Sequence, residues 1–574
     1  MLHLVTGRAG SGKSTYCLKA FSKAVSDSAF DPACYLIVPE QFTMQAERKL
    51  LTMRSKELSG GMCPGLLEDE VLSFRRLTYR ILSRFGGLSK TTLNPSGRVM
   101  LLVRVLRSIS PQLQYFRSWG ENPFESAKLL SLLEEFEKYR VTAQTLRTLA
   151  AGKEADGTLQ GKLLDLSLIY SAYEEQLCKE YMNENDIYSI CAERMERYQP
   201  LKGARVWVDA FTGFTAVEYE VIAAMLKQCE QVVVCLCMDR RGEPVFKGIR
   251  NTYDRLCRLA QETGCDIKRT VLDVPEKSAP RYRKNPYLGY LEKHFCHFGG
   301  PGMPGVPKNI SLIECRTIYS EVIAGAEEIV RLVRKEHYRY HEIAVMVRNP
   351  EDYEKIVRAV FTQYGIPFFV DVKKDVTDNP LIRLILGALE IISGNWQYQS
   401  VFDFLKTGLY FESRAETDLL ENEVLAKGLR GESMWKQETN PSCRSLYQDI
   451  SAFGRELKKC KTLKDCCRAL CTFLERTNVR DKLRQKAEAL RAGGFGELAD
   501  EYFRIWNIVM EVLKQTAVFL GDAAIHGLPE AASMTKLMLQ NGFSQYKAGF
   551  IPQSSDSVQI CSADPAAMRS EPCL

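Results

Sequence analysis

Short runs of consecutive apolar residues alternate with longer stretches in which apolar positions recur every three or four residues. This is the pattern of a buried parallel sheet covered by helices. Strands are predicted at LHLVTG (2–7), CYLIVPE (34–40), ARVWVDAF (204–211) and QVVVCLCMD (231–239), with helices over 13–25 and 41–51. EVLSFRRLTYRIL (70–82) reads as a short strand running into a helix, after a glycine-rich loop at 59–65. Between 94 and about 188 the period turns wholly helical, as in SAKLLSLLEEFEKYR (126–140) and LIYSAYEEQLCKEYM (168–182). FGGPGMPGVPK (298–308) has the composition of a linker. A second α/β pattern follows, with strands at NISLIEC (309–315) and EIAVMVRN (342–349) and helices over 320–336 and 351–365. From 379 to 545 the chain is helical again, including 478–493 and 503–520, before VQIC (558–561) returns as a strand.

This order predicts an α/β protein in seven segments. A first α/β domain spans 1–93 and 191–297, interrupted by a helical insertion over 94–190. After the linker at 298–308, a second α/β domain spans 309–378 and 546–574, interrupted by a helical insertion over 379–545.

Composition narrows the class. The 574 residues, 45% hydrophobic and 26% charged, are those of an ordinary multidomain globular chain. The apolar run LIRLILGALEIISG (381–394) is broken by Arg383 and Glu390 at amphipathic spacing, so it predicts a core helix and not a membrane span. With a strand opening at residue 2 there is no room for a secretory signal, and a cytoplasmic protein is expected. The 19 cysteines are scattered through helices and strands and read as reduced core residues. Cys460, Cys466, Cys467 and Cys471 lack a CxxC pair, and His294 and His297 flank Cys296 without a second ligand pair, so neither group predicts a metal site. A net charge of +6 permits nucleic acid without arguing for it.

The chemistry concentrates in Gly7-x4-Gly12-Lys13-Ser14, set between a strand and a helix. That spacing is a P-loop: backbone N–H groups wrap phosphate oxygens, Lys13 reaches the terminal phosphates, and Ser14 holds Mg2+ at the positive end of the helix. A purely structural glycine-rich turn is the competing reading, and the full spacing in its strand–loop–helix context argues against it. Asp209, closing a hydrophobic strand, suits the magnesium-water ligand of such a site, although strands also end in Asp merely to cap a turn. The next residue is Ala210, so a water-orienting carboxylate is missing. Arg348, at the end of a strand in the second α/β pattern, could reach a bound phosphate or could simply be solvated. Arg75, Arg76 and Arg80 open a helix after a strand and suit phosphate-backbone contacts, with a solvated face as the alternative.

GRAGSGKST, LIVPEQFTMQAE, VLSFRRLTYRIL, WVDAFTGFTAVE, the run from SEVIAGAEEIVRLVRKE to YGIPFFVD, and NWQYQSVFDFLKTGLY together resemble AddB, the B subunit of the bacterial AddAB helicase–nuclease. The resemblance runs nearly end to end and covers the family's N-terminal half. It implies a superfamily 1 helicase-like module of two RecA-like P-loop domains, each carrying an all-helical insertion, the second truncated. It also implies action with an AddA subunit on broken double-stranded DNA ends and on single strands. The family's nucleotide site falls on Gly7, Gly10, Gly12, Lys13, Ser14 and Thr15, with Asp209 as the strand-end aspartate and Arg348 as the arginine facing the γ-phosphate. Mg-ATP is the implied cofactor. VDAFTGF stands where an active helicase reads something like VDEFQDT, so Ala210 and Thr212 replace Glu and Gln, and binding is expected with little hydrolysis. The family continues into a carboxylate nuclease domain bracketed by four cysteines that ligate an iron–sulfur cluster. Neither is expected of this chain, because Cys561 and Cys573 are too far apart and too isolated to serve. A stand-alone P-loop kinase and a non-catalytic, nucleotide-gated DNA-binding module remain as alternatives, and the missing Glu at 210 favours the second.

Overall fold

The computed structural model describes residues 1–28, 33–57, 71–87, 93–152, 157–181, 184–239, 243–273, 279–295, 302, 303, 305, 307, 309–370, 374–411, 413–494, 496–519, 524–548 and 556–562. The loop at 59–65, most of the linker at 298–308, and Cys296, His297 and Cys573 lie outside the described residues. The fold is α/β and divides into two compact units, one of residues 1–89, 184–371 and 552–574 and the other of 90–183 and 372–551.

The first unit is organised on a parallel sheet. Strands β1 (Leu2–Gly7), β2 (Cys34–Ile37), β3 (Val71–Leu72), β4 (Arg205–Val208), β5 (Gln231–Cys237) and β6 (Ile267–Val271) run in the order β3-β2-β4-β5-β1-β6. All six residues of β1 are buried, as an inner strand covered on both faces requires. Helices α1 (Lys13–Ser28) and α2 (Thr43–Glu57) close one core, in which Phe21 meets Trp207 edge-on at 5.4 Å among Val5, Leu36, Leu50 and Val233. Helix α3 (Phe74–Phe85) and helix α4 (Glu184–Tyr198) pack together, and α4 also packs on α5 (Ala216–Gln228), which begins in a capping box between Thr215 and Glu218. Thus α4, whose first part (184–190) the sequence pattern assigned to the first helical insertion, belongs as a whole to the sheet-bearing unit. The sheet then continues through α6 (Lys247–Glu262) to β6 and a short helix α7 (Pro286–His294). Strand β6 had no counterpart in the sequence reading: it is an edge strand, IKRTV, with Lys268 and Arg269 exposed, and carries no apolar run.

The same unit holds a second, three-stranded parallel sheet. Strands β7 (Ala344–Val347), β8 (Phe368–Val370) and β9 (Val558–Ser562) lie in the order β7-β9-β8, so the late strand β9 is central. Helices α8 (Ile318–Lys335) and α9 (Pro350–Gln363) flank it in sequence, with the Thr317–Ser320 cap starting α8. The strand expected at 309–315 does not form. Those residues join no ladder among the described residues, and Leu312 and Ile313 are 98% and 59% exposed. Apolar, β-branched composition yields a strand only where a neighbouring edge offers hydrogen bonds and a face to pack on.

The second unit is helical, apart from a two-stranded ladder of Lys374–Asp375 with Lys547–Ala548 and one isolated bridge. Its main core joins helix Pro95–Ile109, through Met100 and Val103, to helices Pro380–Ser393, Leu463–Arg476, Gly496–Phe519 and Gly527–Ser544. The two helical stretches of the sequence therefore share one core. Gly542 permits a close approach: a Cβ there would stand 2.4 Å from Met100 Cε and 2.8 Å from Val512 Cγ1. Cys466 and Cys467 are buried in this core, with Cys460 and Cys471 partly buried beside it. Among the described residues no helix is long and apolar enough to cross a membrane, and no group of three or more His, Cys, Asp or Glu residues could hold a metal.

Candidate functional site

The loop between β1 and α1 sits at the carboxyl end of the parallel sheet, where ligands of such sheets collect. Gly10 and Gly12 take φ of +76° and +93°, a region that side-chain-bearing residues enter only with strain. Helix α1 starts directly after Gly12, Tyr16 N–H donating to Gly12 O at 2.8 Å. Ser14 and Thr15 are exposed in its first turn, where the dipole and the open N–H groups favour an anion. Lys13 folds back over the loop, its Nζ donating to Gly7 O at 2.7 Å and Arg8 O at 2.8 Å.

Strand β4 delivers Asp209 to this place. Its side chain, almost fully buried, accepts from the Ser14 hydroxyl and from the Ala210 N–H. Burial pushes the carboxyl above its ordinary range, opposed by those two bonds and by the charges of Lys13 and Lys49. A hydroxyl and a carboxylate side by side are hard oxygen donors of the kind Mg2+ takes. Ala210 itself has φ of +67°, a left-handed conformation that for L-residues costs roughly 1–2 kcal/mol. The exposed Ala210 side chain offers no base beside this group.

Three further features were not visible in the sequence. Arg8, inside the loop, is turned aside: Nη1 meets Glu243 at 2.9 Å, Nε meets Glu292 at 3.0 Å, and the guanidinium lies 5.3 Å over Phe246. Asp273, just past β6, accepts from Arg8 N–H at 2.7 Å. Arg281 and Tyr282 cover Gly10, where a Cβ would come within 2.9 and 3.0 Å of them. These partners lie hundreds of residues downstream, so no local spacing announces them. Arg348, by contrast, is exposed at the carboxyl end of β7, its carbonyl accepting from Ser562, and no contact joins it to the loop among the described residues.

A second surface lies beside β4. The rings of Phe74, Phe211, Phe214 and Tyr219 form a chain with centroid separations of 5.4, 5.2 and 5.5 Å, ending at Arg255, which lies 3.9 Å over Tyr219. Arg75 and Arg76 are exposed in the first turn of α3, against the positive end of its dipole. Such placement disfavours a helix by roughly 0.3–1 kcal/mol per charge and suits an anion docked there. Phe74 and Tyr219 are buried and meet their neighbours edge-on, so the half-buried Phe211 and Phe214, bordered by these cations, are the rings that can take the bases of a single strand.

The family profile described as "ADDB, N-terminal" matches residues 4–292, which include the loop, Asp209 and the aromatic chain. The chain belongs to the AddB family. Among AddB relatives, the B subunit of the ATP-dependent helicase/deoxyribonuclease from Acetivibrio thermocellus is 34% identical, over 98% of this chain and 50% of the relative. Proteins of the same name from Thermoanaerobacter sp. and Clostridium botulinum are each 32% identical, over 98% and 97% of this chain and half of their own length. The chain thus spans about half the length of the curated AddB relatives it matches.

Proposed function

We propose that this chain binds Mg-ATP and acts as the ATP-binding, DNA-binding, helicase-like subunit of a heterodimeric helicase/exonuclease. Its task in that reading is to process double-strand DNA ends for recombinational repair beside an AddA subunit, in the cytoplasm. The observation that carries the reading is the meeting of Ser14 and Asp209 beneath a loop whose glycines are already in the left-handed region. Lys13 would neutralise the terminal phosphates, and Ser14 and Asp209 would hold the Mg2+ that shields them. The relatives are named as one subunit of a helicase/deoxyribonuclease, which supports a partner subunit and a DNA substrate. The two parallel sheets support two RecA-like domains in a superfamily 1 arrangement, the first over 1–93 and 191–297 and the second over 309–378 and 546–574. Phe211 and Phe214, the half-buried rings of the aromatic chain, with the exposed Arg75, Arg76 and Arg255, form the surface we assign to single-stranded DNA.

A second reading is favoured by one observation. Because Ala210 supplies no carboxylate, nucleotide would gate DNA binding or assembly without appreciable turnover. Titration with a fluorescent ATP analogue and a labelled oligonucleotide tests the proposal, and steady-state ATPase with and without that oligonucleotide separates the readings. Phe211→Ala is expected to weaken oligonucleotide binding by about 1–3 kcal/mol, the worth of one base stack, and to leave nucleotide affinity unchanged. Failure of wild type to bind nucleotide would refute the first assignment; unchanged DNA affinity in the variant would refute the second.

A further inference from the structure

Arg8 stands where a phosphate loop could place a cation against its ligand, yet its guanidinium is fully engaged elsewhere. Besides the carboxylates of Glu243 and Glu292, Nη2 donates to the Glu292 carbonyl at 2.7 Å, and Asp239 lies 3.9 Å from Nη1. Its backbone belongs to a different network: the N–H is held by Asp273, and the carbonyl accepts from Lys13 Nζ at 2.8 Å. One residue therefore joins the phosphate-seeking lysine to helix α7.

That helix is only partly covered. Its nine residues, Pro286–His294, bury no side chain, and Leu291 is 53% exposed. A helix this short is not stable alone in water. Besides its Asn285 cap, its fastening to the loop is Glu292 on Arg8, reinforced by the preceding turn, where Arg281 N–H donates to Gly10 O at 3.4 Å and Tyr282 packs on Gly10. Residues 279–294 thus grip the loop at both Arg8 and Gly10.

We propose that residues 279–294 are a strap that senses occupancy of the loop through Arg8; this rests on the Mg-ATP reading above. To reach a triphosphate, Lys13 must leave the carbonyls of Gly7 and Arg8, and the Arg8 peptide settles with the filled loop. Openings of the strap that loosen the loop then compete with bound ligand and become rarer.

Hydrogen exchange of the 574-residue chain, with and without Mg-ATP, is the test, read on peptides covering 286–294 and paired with nucleotide affinity. Ligand at a hundred times its Kd suppresses loop-breaking openings by up to about 100-fold, so slowing of at least about tenfold is expected in wild type. Glu292→Ala should bind Mg-ATP within about threefold of wild type while the slowing falls below about twofold, whereas Lys293→Ala, exposed on the same helix, should keep the full response. Nucleotide binding with no change in 286–294, or a full response in Glu292→Ala, would overturn the strap. Absence of Mg-ATP binding in wild type would instead overturn the nucleotide reading and the strap with it.

Discussion

Lys13→Ala removes an ammonium that reaches into the loop, and its effect can be worked from the bonds that Lys13 already makes. Attraction to a single phosphate charge about 4 Å away is worth about 4 kcal/mol at an effective dielectric of 20, and two phosphates double the source. Against this, Lys13 gives up its bonds to Gly7 O and Arg8 O, each worth roughly 1.5–3 kcal/mol as a hydrogen bond to a charged group. The difference, about 2–5 kcal/mol, corresponds to a loss of affinity between about 30-fold and a few thousandfold. In the ligand-free protein the same substitution leaves Gly7 O accepting from Met238 N–H at 3.2 Å and Arg8 O from Ser11 N–H at 3.3 Å, so thermal unfolding should begin only slightly lower. Titration with a fluorescent ATP analogue in saturating Mg2+ gives the affinity, and a melting curve of each protein shows that the fold survives. A Kd within about threefold of wild type, in a folded variant, would show that Lys13 serves the turn and not a phosphate.

The remaining predictions concern the metal, the chemistry and the helical unit. Because burial raises the Asp209 pKa, its charge is lost as pH falls through a value above the ordinary carboxylate range. The Mg2+-dependent part of ATP affinity should therefore fade at milder acidity than an exposed Asp would give, and Asp209→Asn should abolish that dependence; a Mg2+ dependence in Asp209→Asn equal to wild type would refute this. With Ala210 in place of a carboxylate, steady-state ATPase of the chain should not exceed about a hundredth of that of a competent relative, since positioned bases contribute about 10²–10⁴-fold; helicase-like turnover by the purified chain would contradict it. Gly542→Val should overpack the contact with Met100 and Val512 and destabilise the helical unit by about 1–3 kcal/mol, seen as an earlier denaturant midpoint. A midpoint equal to wild type would mean that the helices part readily there.

What could be read from the chain was what is local. The loop announces itself because its glycines, Lys13 and Ser14 are fixed by spacing, and Asp209 because it ends a run of buried β-residues. The grip on Arg8 could not be read, since Glu243 and Glu292 lie 235 and 284 residues away and look like any surface glutamates. Strand β6 escaped because an edge strand with exposed Lys268 and Arg269 has no apolar run to betray it. The opposite error fell at 309–315, where strand-like composition met no partner. The amphipathic period of the helices was plain, but an apolar stripe does not say which other stripe it meets, so the single core shared by both helical stretches was not legible.

That shared core has a consequence for how the protein is made. Helix Pro95–Ile109 is synthesised early, yet its packing partner Gly527–Ser544 leaves the ribosome more than 400 residues later. At roughly 5–20 residues per second, Met100 and Val103 wait some 20–90 seconds for the side chains that will bury them. Strand β9, central to the second sheet, is made later still. Until those later residues are made, the nascent chain exposes apolar helix faces, so its yield in the cell is expected to depend on chaperones that hold such faces apart.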